Sequence, residues 1–84
     1  MIEEILAQRG ERYGAFETHA EITQDIKRTI TRYGDKLNDS QREALEMIAH
    51  KMGRILNGDP NYDDSWIDIA GYAQLVVDQL MEKK

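Results

Sequence analysis

The chain has no cysteine, one proline and only two histidines among its 84 residues. Without thiols there is no disulfide scaffold and no thiolate metal site, a usage that fits a reducing cytosol. Apolar runs are only a few residues long, far short of the ~20 needed to span a bilayer, so no membrane partner is expected. The acidic opening Met1-Ile2-Glu3-Glu4 is unlike the basic start of a signal peptide, and the expected location is cytoplasmic. Positive charge is also scarce, with 11 Lys and Arg against 16 Asp and Glu. The net charge of −5 sets aside sequence-independent binding to DNA or RNA backbones, so duplex nucleic acid is not an expected partner. No Walker-type glycine loop is present, and no serine or threonine stands in a nucleophile-base arrangement.

What the chain does contain is helix. Hydrophobic residues make up 40% and charged residues 32%, a globular balance, and the length fits a single domain over residues 1–84. A chain of this size buries only roughly 60–65% of its unfolded surface, so a partner subunit is expected to help stabilise it.

Apolar spacing predicts four helices and an all-α, compact antiparallel bundle. The first is expected over Ile2 to Arg9, with Ile2, Ile5 and Leu6 as a buried stripe and Gly10 as its stop. A loop, Arg9-Gly10-Glu11-Arg12-Tyr13-Gly14, follows. Its guanidinium groups and amides suit a phosphate and Tyr13 suits a base; equally, it is a connector with Tyr13 packed on the core. The second helix is expected from Ala15 to Tyr33, with Phe16, Ile22, Ile26 and Ile30 on one side and Gly34 as its stop. Asn38 and Gln41 have the spacing of a capping box at the start of the third.

Leu45, Ile48, Ala49, Met52 and Ile55 supply the buried stripe of the third helix, and Asn57-Gly58 ends it, with Gly58 expected in a left-handed cap. The fourth helix is expected to open at Asp63 or Asp64 and run to Met81, with Trp66, Ile69, Ala73, Val76 and Leu80 in its buried seam. It is apolar on more than one side, which predicts a central position or a homo-oligomer interface, and Gly71 within it suggests a close neighbour.

Glu43 and Glu46 share a face of the third helix, and Asp64 and Asp68 share a face of the fourth. If these four carboxylates converge between the helices, Mg²⁺ is their natural occupant, because hard oxygen ligands suit it and it bridges to substrate phosphates. If they are exposed, Asp64 is a helix cap and Glu46 pairs with His50 or Lys51. His50 is expected to be a surface residue whose pKa Glu46 raises, and His19 a capping or surface residue.

The pattern Glu43-x-x-Glu46, a turn, then Asp64 and Asp68 resembles the metal-binding helices of the all-α nucleoside triphosphate pyrophosphohydrolases of the MazG and dimeric dUTPase type. The wording from Arg42 to Val77, with Arg12-Tyr13-Gly14 upstream, looks more closely like small uncharacterised helical proteins of phages and prophages, which would place the chain in a host cytoplasm. The first resemblance implies Mg²⁺ on Glu43, Glu46 and Asp68, with Asp64 as ligand or catalytic base. It also implies a phosphate contact from Lys51 or Arg54 and cleavage of a nucleoside triphosphate to monophosphate and pyrophosphate, to which the loop reading adds Arg12 for phosphate and Tyr13 for the base. Ser65 stands where the family's second acid pair needs a carboxylate, so a relative that binds a nucleotide without cleaving it is the other reading. The second resemblance brings no established activity; small size, acidity and the broken acid motif favour an accessory or anti-defence protein that sequesters a nucleotide-derived ligand or binds a host protein.

Overall fold

The computed structural model describes residues 1–83. They form four helices: α1 (Ile2–Tyr13), α2 (Phe16–Tyr33), α3 (Asp39–Asn57) and α4 (Asp63–Glu82). The fold is an all-α bundle with α3 at its centre. α2 packs along one side of α3 and α4 along another, α1 crosses α2 and α3, and α4 touches no helix but α3. The envelope is long, 47 × 25 × 23 Å, because α4 has only one helical neighbour. No described helix is long and apolar enough to cross a membrane.

The capping box forms: the Asn38 side chain accepts from the Gln41 amide at 2.8 Å, and the Gln41 side chain accepts from the Asn38 amide at 3.0 Å. Two otherwise orphaned donors at the start of α3 are thereby satisfied. Gly10, by contrast, does not end α1. The helix runs on to Tyr13 and stops at Gly14, whose φ of 77° is the one positive φ among the described residues. A mid-helix glycine costs about 1 kcal/mol relative to alanine, and the packing of the extra turn, Glu11 to Tyr13, offsets it.

That packing is a latch between two chain reversals. The Asn57 amide donates to both the Tyr13 and Ala15 carbonyls at 2.8 Å, and the Asp59 amide donates to the Arg12 carbonyl at 2.7 Å. A Cβ on Gly14 would overlap the Asn57 carbonyl, and a Cβ on Gly58 would overlap the Arg12 carbonyl. Gly58 has φ −132°, so it is not the left-handed cap expected of it; glycine is required there because another backbone crosses at contact distance. Arg12 lies over Tyr62 at 4.4 Å, Tyr62 is 6.3 Å from Tyr13, and Arg54 lies over Tyr13 at 4.4 Å. This pair of rings, flanked by a cation at each end, ties α1 to α3 and to the turn before α4.

The buried residues are small. Ala44 and Ala49 are the buried apolar side chains, joined by His19, Thr23 and Ser65, and Gly53 is buried with them. Large apolar side chains sit at the margins. Ile2, Ile5 and Leu6 are exposed rather than forming the expected buried stripe of α1. On α4 the face against α3 is Ser65, Asp68, Ile69, Tyr72 and Val76, all buried or half-buried. Three of the five residues of the expected seam, Trp66, Ala73 and Leu80, lie on its flank and are exposed, and Gly71 has open space around it rather than a close neighbour. The seam is shifted because Ser65 lets α4 approach α3 more closely than Trp66 would.

Candidate functional site

The acids meant to share a cation are held apart. Lys51 pairs with Asp68 at 3.0 Å, which sets the antiparallel register of α3 and α4. In that register Glu43 lies opposite Val76, with which it lines a groove, while Asp64 falls opposite Ile55, about 18 Å further along at 1.5 Å per residue. Glu46 lies 3.7 Å from Arg42 rather than pairing with His50, and Asp64 accepts from the Tyr62 hydroxyl at 2.8 Å. Among the described residues no group of three or more His, Asp and Glu side chains is placed to hold a metal ion. The described residues of one chain thus gather no acid cluster for Mg²⁺, and the Lys51 ammonium is paired with Asp68.

Cations gather elsewhere. A cleft of about 600 Å³ opens between the second half of α1, the start of α2 and the last turns of α3. Arg9 and Tyr13 come from α1, Phe16 and His19 from α2, and His50 and Arg54 from α3. Its walls are mainly apolar and carry no carboxylate. Among the described residues neither Arg9 nor Arg54 has an acidic partner, nor does Arg12, which lines an adjoining recess with both. Of the four residues expected to bind ligand, Arg12, Tyr13 and Arg54 thus meet at one place and Lys51 does not.

The histidines form the floor of this cleft. His19 is 6% exposed, and its Nε2 lies 3.4 Å from both His50 Nδ1 and Thr23 Oγ1. The two rings meet edge to face, their centres 4.7 Å apart. Gly53 makes the space: a Cβ there would overlap Thr23 Oγ1 and sit 2.9 Å from His19 Nδ1. Burial pushes the His50 pKa down to about 4, and Arg54, His19, Lys51 and Lys27 push the same way. His19 is also lowered, first by burial, then by Arg54 and Lys27, against an opposing pull from the Gly53 backbone. Both rings are neutral at physiological pH, the reverse of the protonated surface His50 expected from Glu46. His19 Nδ1 is buried and lacks a hydrogen-bond partner.

Such a cleft offers planar apolar surface, two cations free of acids and a polar floor without net charge. It suits a ligand with a flat ring and an anionic group. The pairing of His19 with His50 was the part that sequence reasoning missed. Its trace in the sequence is the spacing of His19 and Thr23 on one face of α2 and of Ala49 and Gly53 on one face of α3, both i, i+4.

Residues 2–79 match the family model described as Domain of unknown function (DUF6378), and the chain belongs to that family. No curated protein and no solved structure matches the chain.

Proposed function

We propose that this protein binds a nucleotide or nucleotide-derived ligand in the cleft between α1, α2 and α3, and that it does so as a binding protein rather than through a metal centre built by one chain. The supporting observation is the convergence of Arg9, Arg54 and Tyr13 with Phe16 and the histidine pair on a cleft that carries no carboxylate, in a protein of net charge −5. An acidic surface excludes anions in general, so a pocket enriched in unpaired guanidinium groups is selective for one. Arg9 and Arg54 would take the phosphate, and Tyr13 or Phe16 the base. The nucleotide is held intact: hydrolysis by the route of the pyrophosphohydrolases needs a cation on clustered acids, and Glu46 and Asp68 are engaged by Arg42 and Lys51.

The same proposal includes self-association through α4. Trp66, Ala73, Val77 and Leu80 recur at helical spacing on a flank of α4 that no other helix covers, and Trp66 remains 54% exposed. A second copy of this chain covers such a stripe most economically, since a two-fold interface needs only one apolar patch.

The test is calorimetric titration of the protein with nucleoside mono- and triphosphates, with and without Mg²⁺, alongside an assay of pyrophosphate release. Binding that does not require Mg²⁺ and leaves the nucleotide intact supports the reading. Pyrophosphate release that requires Mg²⁺ and is lost in Glu46→Gln returns the function to hydrolysis. Absence of binding removes the nucleotide altogether.

A further inference from the structure

We propose that the phosphate group enters this cleft together with a proton, taken from solvent by the His19 and His50 pair, so that the pair is neutral in the empty cleft and cationic in the occupied one. This rests on the nucleotide-binding reading above and adds how the site's affinity is regulated.

Two neutral imidazoles have four ring nitrogens and two protons. One proton lies between His19 Nε2 and His50 Nδ1, whose separation is 3.4 Å. An orphaned buried N–H donor is rarer in folded proteins than an orphaned acceptor, and His19 Nδ1 is buried without a partner. The second proton therefore belongs on His50 Nε2, and His19 Nδ1 is left bare. His50, whose other nitrogen is engaged by His19, presents this N–H on the wall of the cleft, a donor suited to a phosphate oxygen.

The bare nitrogen takes the added proton beside the Gly53 backbone, and the bridging proton passes from His19 Nε2 to His50 Nδ1, so that the charge rests on His50; the surrounding charge decides when. From α1 the cleft receives Arg9; from α2, Lys27 stands near both rings; from α3 come Lys51 and Arg54. α4 contributes Asp68, which pairs with Lys51, and Glu46 of α3 is turned to Arg42. The charges facing the pair are thus cationic, and in the empty cleft they oppose a third positive charge beside Arg9 and Arg54. A bound phosphate dianion offsets most of that positive field, and protonation becomes favourable. By linkage, affinity then rises as pH falls.

Inorganic sulfate separates this effect from the ligand's own titration, because it keeps both charges across the range studied. Proton NMR of the two imidazoles from pH 4 to 8 is recorded on the whole protein alone, with saturating sulfate and with a nucleoside monophosphate. The expected result is a rise of the His50 midpoint by one pH unit or more with either ligand, and a sulfate affinity that strengthens toward tenfold per pH unit lowered where the empty pair is neutral and the occupied pair charged. His50→Gln leaves His19 no partner to which the charge can pass, so whatever affinity this variant keeps should show a flat pH profile. Ligand binding with unmoved histidine midpoints and a flat wild-type profile overturns the inference while leaving the nucleotide reading intact. No binding of either ligand at any pH overturns both. The wild-type titration stands alone if His50→Gln does not fold.

Discussion

α3 meets α2 and α4 through seams of opposite character. Against α2 it presents Ala49 and Gly53, and into the space these small residues leave come His19 and Thr23, among the most buried side chains of the molecule. Against α4 it presents Ala44 and Lys51, and the answering face is Ser65, Asp68, Ile69, Tyr72 and Val76, while Trp66 and Leu80 stay outside. Burying a polar ring without full hydrogen bonding is costly, whereas leaving Trp66 exposed forgoes an available gain. A seam shaped only for monomer stability would do neither. The difference is that the α2 seam encloses polar rings beside the cleft, whereas the α4 seam leaves large apolar side chains uncovered.

The comparison breaks most sharply at the two close approaches. Gly53→Ala should destabilise the protein by about 2–3 kcal/mol, because the added methyl overlaps Thr23 Oγ1 and crowds His19, and overpacking of this kind has that scale. Chemical denaturation measures it, and an unchanged midpoint means the α2 seam is not close-packed. Gly58→Ala should cost about as much by forcing the latch to Arg12 apart. The same experiment checks it, with loss of the Tyr13 to Tyr62 contact in NMR as a local sign.

Acid should act next. The folded-state pKa of His50 is depressed from 6.5 to about 4, so the unfolded chain binds a proton there that the native protein does not. Stability therefore falls as pH is lowered from about 6.5 toward 4, by up to roughly 1 kcal/mol per pH unit from this group, and it is regained on returning to neutrality. His19, also depressed, adds in the same direction. Melting temperatures across this range should show the slope in wild type and a shallower one in His50→Gln; identical slopes would place the acid sensitivity elsewhere. The smallest effect belongs to α4: Gly71→Ala, in open space on an exposed face, should stabilise the monomer by about 0.5–1 kcal/mol. If a second copy packs closely at Gly71, light scattering will instead show a weakened oligomer.

Much of this fold is legible in the residues. The Asn38 to Gln41 box, the stop at Gly34 and the start of α4 at Asp63 follow from local chemistry, which acts within a few residues and so leaves a local signature. Gly10 and Gly58 misled because their roles are set by chain segments more than forty residues away in sequence: the Asn57 to Asp59 turn holds the end of α1 in helix, and the Arg12 backbone is what Gly58 must accommodate. Gly71 and the Trp66 seam misled for a related reason, since helical spacing locates an apolar stripe without saying whether a neighbour within the chain or a second chain covers it.

The candidate site divides the same way. Arg12, Tyr13 and Arg54 stand out in the sequence because cations and aromatics announce themselves, and the fold brings them to one place. Sharing a face of a helix does not place the acids at one height along the bundle. The short turn between Asn57 and Asp63 already sets Glu43 far from Asp64 along the bundle, and that inference needs only the helical rise. The burial of the histidines leaves no local signature because it depends on a glycine and an alanine of α3, far from His19 in sequence.

Calorimetric titration of a nucleoside monophosphate without metal, into wild type and Arg54→Ala, tests the central claim most directly, with the exposed Arg28→Ala as the control for general loss of positive charge. Saturable binding by wild type and Arg28→Ala, weakened about tenfold or more in a folded Arg54→Ala, as loss of a charge-assisted phosphate contact predicts, is the result this account requires. No binding by wild type, or equal binding by all three proteins, would contradict it.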